Sequence, residues 1–376
     1  MADVQGTCDA KFEGVRTALS HSLDSGADVG ASVAVFLHGE PVVDIWGGFV
    51  DAEHSAPWAA DTLTNVWSTT KTMTFLCALM LHDRGELDFH APVATYWSEF
   101  AAGGKEQVEV RHLMGHTAGL SGWDEPLVAE DLADWEKCTA ALAAQTPWWE
   151  PGSGSGYHAV TQGFLIGEVV RRITGESIGS WFAREVAKPL GADFHIGLPA
   201  SEDSRVANVI PPPPIDMAAM GGNVSELMAK TFLNPPIDAT MAHHEWWRRA
   251  EIPAANGQGN ARSVAAIQSI IAGRGQARGV RLLSAEATDA IFEVQADGTD
   301  KVLGVPIRFG MGYGLGNEVM PLGPRACYWG GYGGSIIVLD QDAELAVSYV
   351  MNRMESGLVG DLRGATIVLE AVAALA

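Results

Sequence analysis

Two periods organise the apolar positions of this chain. Residues 9–25 carry Phe12, Val15, Leu19 and Leu23 at helical spacing, which predicts an amphipathic helix. Two strand-like runs follow at 31–37 and 42–50. They are joined by His38, Gly39, Glu40 and Pro41, a turn-forming set that predicts a hairpin. A helix is predicted from Ser68 to about Arg84, carrying the apolar run 73–81, with Gly85 placed to end it. Residues 160–174 place Val160, Phe164, Leu165, Val169 and Ile173 on one face and stop at Gly175. A second helix is predicted over about 177–187, ending before Pro189. Further helices are predicted over 261–272 and, with Ser284 as N-cap, 285–294. The end of the chain returns to strands at 335–339 and 345–351, around the polar turn 340–344, and closes with a helix over 360–375.

Strands at both ends with helices between them predict one sheet assembled from both termini. We therefore expect a discontinuous sheet unit, residues 1–85 plus 270–376, and a mostly helical unit, 86–269. Within the latter, 200–260 is rich in Pro, Gly and Met, with four prolines at 211–214. It reads as an irregular excursion or lid, with Trp246 and Trp247 inside it.

Composition narrows the function. A length of 376 residues suffices for a sizeable core. A net charge of −22 argues against nucleic-acid partners, which require clustered Lys and Arg. No stretch approaches the roughly 20 apolar residues of a membrane helix. The first residues show neither the basic region nor the apolar core of a secretory signal, so the expected location is the cytoplasm. Cys8, Cys77, Cys138 and Cys327 are scattered and form no C-x-x-C pair, so free thiols are expected.

The candidate chemistry begins at Ser68 and Lys71. Three residues apart at a helix start, they share one face, where a lysine of lowered pKa can take the serine proton. The helix N-terminus adds free N–H groups where an oxyanion would form. A glycine-rich loop, 150–156, can deliver the Tyr157 hydroxyl to a cleft. The run Trp329, Gly330, Gly331, Tyr332, Gly333, Gly334 precedes a strand, and its glycines permit close backbone approach by a ligand. His112 and His116 lack metal-ligand spacing and read as structural; no metal site is expected. Residues 175–179 spell G-x-S-x-G, but a helix on each side of Ser177 makes it an N-cap instead of a nucleophile.

In this order, the four stretches resemble the serine β-lactamase and penicillin-binding superfamily, specifically its class C-like branch and the family VIII carboxylesterases. Ser68-Thr69-Thr70-Lys71 matches the nucleophile motif. His116-Thr117-Ala118-Gly119-Leu120 is similar to the structural H-T-S-G-L turn. Pro151 to Tyr157, then Gly163 to Gly175 and Lys188 to Gly191, resemble the segment carrying the catalytic tyrosine. Trp329-Gly330-Gly331 stands where β-lactamases carry K-T-G or H-T-G.

The resemblance implies an α/β fold of the α+β type: a β-lactamase-like antiparallel sheet flanked by helices, with a helical insertion. It implies a serine carboxylic ester hydrolase working through an acyl-enzyme, with Ser68 as nucleophile and Lys71 and Tyr157 sharing the proton work. Which of the two is the acylation base stays open. The backbone N–H groups of Ser68 and Tyr332 would form the oxyanion hole. No cofactor is implied. Two departures from the β-lactamase pattern bear on substrate: Ala159 replaces an amide-binding Asn, and Trp329 replaces a carboxylate-attracting Lys or His. A site lacking both favours neutral short- to medium-chain esters, with weak β-lactam hydrolysis as a side activity. Trp329, Gly330 and Gly331, with Trp123, Trp148 and Trp149, are the expected substrate-binding residues. A β-lactamase, D-amino-acid peptidase or acyltransferase on the same scaffold is the alternative, and a non-catalytic binding protein the more distant one. The expected partner is a small-molecule ester; the sequence fixes no oligomeric state.

Overall fold

The computed structural model describes residues 3–213, 225–358 and 360–376. Its centre is a nine-stranded antiparallel sheet. In chain order the strands are β1 (Gln5–Cys8), β2 (Gly30–Leu37), β3 (Glu40–Gly48), β4 (Ala296–Thr299), β5 (Pro306–Phe309), β6 (Gly314–Leu315), β7 (Ala326–Gly330), β8 (Ile336–Asp340) and β9 (Leu345–Met351). Across the sheet they run β1-β3-β2-β9-β8-β7-β6-β5-β4. The two ends of the chain meet at β2 and β9, registered from Leu345 opposite Leu37 to Met351 opposite Ala31.

Continuous apolar runs, without polar alternation, form these middle strands because both faces are covered. On one side lies α4 (Ala261–Ala272), packed on β2 and β9 and tied down where Ala261 N–H donates to Ser32 Oγ at 3.1 Å. On the other lie α1 (Glu13–Asp24) and α5 (Leu362–Ala373), which also pack on each other. The helical part between the sheet halves holds α2 (Lys71–Asp83) and α3 (Thr161–Thr174), both largely buried. Among the described residues, no helix is long and apolar enough to cross a membrane. All four cysteines are free thiols, three of them buried.

Several local expectations need correction. The polar segment 5–8 is an edge strand on β3, and β4 to β6 extend the far edge of the sheet. These strands are two to four residues long, too short for an apolar period to mark them, and β1 and β4 are largely exposed as well. The helix after Ser177 continues past Pro189 to Leu190 through a π-turn at Ala183–Ala187. Proline lacks an N–H and crowds the preceding turn, and the wider turn accommodates it. Trp329 and Gly330 lie within β7 and do not form a loop ahead of a strand. The excursion 200–260 contains helices at Glu226–Phe232 and Glu245–Arg249. Trp247 is buried, its indole donating to Asn65 Oδ1 at 2.9 Å. The lid expectation for 214–224 lies outside the described residues.

Candidate active site

Ser68 sits in a single 3-10 turn, Trp67–Thr70, that leads directly into α2. In a 3-10 turn, side chains three apart eclipse, so Ser68 and Lys71 stand closer than on an α-helix. Lys71 Nζ lies 3.1 Å from Ser68 Oγ. The approach is fixed from outside the turn: Asn65 pairs with Gln258, Val66 N–H donates to Gly257 O at 2.9 Å, and Gly257 N–H donates to Thr70 Oγ1 at 2.8 Å. Trp67 is held at φ +50°, a left-handed conformation that costs a non-glycine residue roughly 1–2 kcal/mol. Its indole ring is gripped between those of Trp247 and Tyr332.

Lys71 is fully buried. Its Nζ donates to the carbonyls of Ala159 at 2.6 Å and Ala254 at 2.9 Å, and burial alone pulls its pKa far below 10.5. Lys71 Nζ therefore contacts three oxygens, two backbone carbonyls and Ser68 Oγ. From the other side, Tyr157 Oη donates to Ser68 Oγ at 2.8 Å. Burial raises the Tyr157 pKa, and the neighbouring Asp300 charge adds to the effect, so the resting group is a phenol. Ser68 Oγ thus lies within hydrogen-bond reach of both Tyr157 Oη and Lys71 Nζ.

The loop bearing Tyr157 is held by Asp300 and His158, which the sequence did not single out, and by His116, which it read as structural. Asp300, fully buried, accepts at Oδ1 from the N–H groups of Tyr157 (3.0 Å), Val302 (3.0 Å) and Leu303 (2.9 Å). His158 Nδ1 meets Gly156 O at 2.6 Å and its Nε2 accepts from Leu120 N–H at 3.1 Å; burial lowers its pKa to about 3. His116 Nδ1 accepts from His158 N–H at 3.0 Å, and its pKa too falls well below the usual range through burial. Both rings are thus neutral clamps on backbone. Ser177 caps its helix, accepting from Ser180 N–H at 3.3 Å.

The third wall is the turn after β7. A Cβ on Gly331 would lie 2.3 Å from Ser335 Oγ and 2.5 Å from Val66 O, so only glycine lets this turn close on the Ser68 turn. Ser335 Oγ joins the two, bonded to Val66 O and to Thr69 Oγ1 at 2.9 Å each. Among the described residues, the N–H groups of Ser68 and Tyr332 have no hydrogen-bond acceptor. The only sequence signal for Thr69 and Ser335 was their place beside the singled-out motifs.

The tryptophans divide. Trp329 is 2% exposed, stacked on His116 with ring centres 5.5 Å apart and 6.2 Å from the Tyr157 ring. With Tyr157, Phe309, Ile307, Tyr328 and Met320 it lines a cavity of about 170 Å³. Trp149 packs on the tyrosine loop, its ring 2.5 Å from where a Gly156 Cβ would stand. The other two face different neighbours: Trp123 donates to Cys138 O and packs on Phe164, and Trp148 donates to Asp124 Oδ1.

The chain is similar to known proteins over nearly its whole length. The family profile described as Beta-lactamase matches residues 15–371. Over 368 residues the chain is 36% identical to the Esterase/beta-lactamase LipL of Mycobacterium tuberculosis, covering 95% of this chain and 84% of that one. Among solved structures it is similar to a family VIII carboxylesterase, with 42% identity, a TM-score of 0.94, and coverage of 99% of this chain and 100% of that one. It is also similar to a penicillin-binding protein homologue from Caulobacter crescentus, with 34% identity, a TM-score of 0.89 and the same coverage.

Proposed function

The chain belongs to the beta-lactamase family, and from that premise we propose that it is a serine carboxylic ester hydrolase acting through an acyl-enzyme on neutral short- to medium-chain esters. The observation that carries this reading is Ser68 Oγ held between a buried, carboxylate-free amine at 3.1 Å and a buried phenol at 2.8 Å. The apolar surroundings give the substrate class. Ala159 offers a methyl group, with its carbonyl already used by Lys71, and Trp329 borders an apolar cavity. The names of two similar proteins, Esterase/beta-lactamase LipL and a family VIII carboxylesterase, support ester cleavage.

In this reading neutral Lys71 takes the Ser68 proton as Oγ attacks the ester carbonyl. The Ser68 and Tyr332 N–H groups hold the oxyanion, each such donor being worth roughly 3 kcal/mol. Collapse expels the alcohol with the Tyr157 proton, leaving a phenolate beside the Lys71 ammonium. Lys71 Nζ lies 5.0 Å from the centre of the Tyr157 ring, close enough for the charges to stabilise each other. The phenolate then takes a proton from water, which attacks the acyl-enzyme. Ser68 leaves with the proton held by Lys71, and the resting state returns. Lys71 is the acylation base, and Tyr157 is the acid that completes acylation and then the base of deacylation.

The test is parallel hydrolysis of p-nitrophenyl butyrate and a chromogenic cephalosporin, with Ser68→Ala as control. Fast ester cleavage, slow cephalosporin cleavage and an inactive variant are expected. Cephalosporin cleavage faster than ester cleavage would make the protein a β-lactamase. Activity on neither would turn the reading to acyl transfer or binding.

A further inference from the structure

The oxyanion hole depends on which way one peptide plane faces. The Tyr332 N–H belongs to the peptide whose carbonyl is that of Gly331. In a trans peptide the two bonds point in opposite directions. Gly334 N–H and Gly360 N–H hold the Gly331 oxygen at 3.2 and 3.3 Å, both long contacts. Two weak bonds within a glycine-rich turn are a poor anchor for a group that must stay fixed while charge develops, since glycine leaves the backbone free.

Gly333 is held by backbone bonds, its N–H on Gly357 O at 2.8 Å and its carbonyl on Glu355 N–H at 2.9 Å, and a charged cluster at the start of α5 adds to them from behind. Arg363 Nη2 donates to Gly333 O at 2.8 Å. Its Nη1 reaches Asp28 Oδ1 at 2.9 Å and the carbonyls of Ala27 and Arg353 at 3.0 and 2.9 Å. Its Nε donates to Asp361 Oδ2 at 3.0 Å. The partners are fixed in turn. Asp28, fully buried, also accepts from Tyr349 Oη at 2.7 Å and Ser22 Oγ at 2.6 Å, while Asp361 caps α5 through Arg363 N–H and Gly364 N–H. The fit is close. A Cβ on Gly334 would come within 2.4 Å of Asp361 Oδ2 and 2.7 Å of Arg363 Nη2. The Arg363 side chain is 11% exposed, and no step of the reaction needs its charge.

We propose that Arg363 is a positioning residue for the oxyanion hole: its guanidinium fixes the Gly333 carbonyl against the start of α5 and so holds the Tyr332 N–H towards Ser68. Its planar, multiply donating head suits this role, because it adds a charged donor to the Gly333 carbonyl, which also accepts from Glu355 N–H at 2.9 Å, while its other donors sit on rigid groups. A lysine at the same place could keep the charge opposite Asp28 but not the fork.

This proposal rests on the ester-hydrolase reading, and the test separates the two. Arg363→Lys and Arg363→Gln are compared with wild type and Ser68→Ala in the full chain. Rates are normalised to sites labelled to completion by a fluorophosphonate, so that partly folded material does not count. Binding of an alkyl boronic acid, whose tetrahedral adduct places an oxygen in the hole, is measured alongside. The expected result is a fall in kcat on p-nitrophenyl butyrate of roughly ten- to hundredfold in both variants, KM within about threefold, and boronate affinity falling in parallel with kcat/KM. Wild-type kcat per labelled site in the lysine variant would overturn the proposal. So would equal weakening of KM and boronate binding. An inactive wild type would instead overturn the ester-hydrolase reading.

Discussion

At the scale of single residues, two proton carriers divide the reaction, and each leaves its own trace. If Lys71 takes the Ser68 proton and Tyr157 serves the leaving group and then water, Tyr157→Phe should still acylate from p-nitrophenyl butyrate. Nitrophenolate departs without a proton. With no phenolate to activate water, the acyl-enzyme should accumulate. Stopped-flow measurement should show a burst near one equivalent, then turnover slower by about 10²- to 10⁴-fold. A variant with no burst and equally slow acylation would make Tyr157 the acylation base. The buried amine also has a thermodynamic trace. Its folded pKa lies well below 10.5, because burial disfavours the ammonium. Between the two values the unfolded chain binds more protons, so stability rises with pH across that window, by up to about 1.4 kcal/mol per pH unit. Lys71→Met removes the group and should flatten this rise. Urea unfolding of both proteins at pH 7 and pH 9 measures it, and parallel lines would mean that Lys71 keeps its ordinary pKa.

At the scale of elements, the site is a junction of two turns, and glycine decides whether they meet. Gly331→Ala would push a methyl group into Ser335 Oγ and the Val66 carbonyl. Removing the hydroxyl in Gly331→Ala/Ser335→Ala relieves only the first contact. Both variants should lose roughly 1–3 kcal/mol in thermal unfolding and most of their kcat, with little recovery in the double variant. Full recovery would show that the turn is free to move away from Val66. The sequence displayed the parts of this junction but not their joining. The S-x-x-K spacing, the glycine run and Tyr157 were visible because each carries a local pattern. That Ser68 stands on a 3-10 turn was not, because the polar stretch 68–72 reads equally well as the first turn of α2. Asp300 was invisible for a different reason. Its partner, Tyr157, lies 143 residues away, and a lone acidic residue after an exposed strand has no period to reveal it.

At the scale of the whole molecule, the central pair joins residues about 310 apart: β2, near the start of the chain, lies beside β9, near its end. Each strand was legible as an apolar run. Their adjacency was legible only as the expectation that strands at both ends share one sheet. The register and the position of β7 beside β8 depend on packing that no local pattern records. Nearly all of β2 is buried, and α4 lies across both β2 and β9. Segment 257–259, immediately before α4, in turn anchors the Ser68 turn. Opening the sheet centre should therefore release the site at once, since no independent core lies between them. Native-state hydrogen exchange tests this. Amides of 31–37, 261–272 and 345–351 should exchange only through global unfolding, with one common free energy equal to that from denaturant. Amides of the exposed edge strands β1 and β4 should exchange by local fraying at lower cost. If 31–37 and 345–351 instead exchanged with free energies more than about 2 kcal/mol apart, the sheet would comprise two cooperative units. The active site, anchored through α4, would then keep its order only with the more stable one.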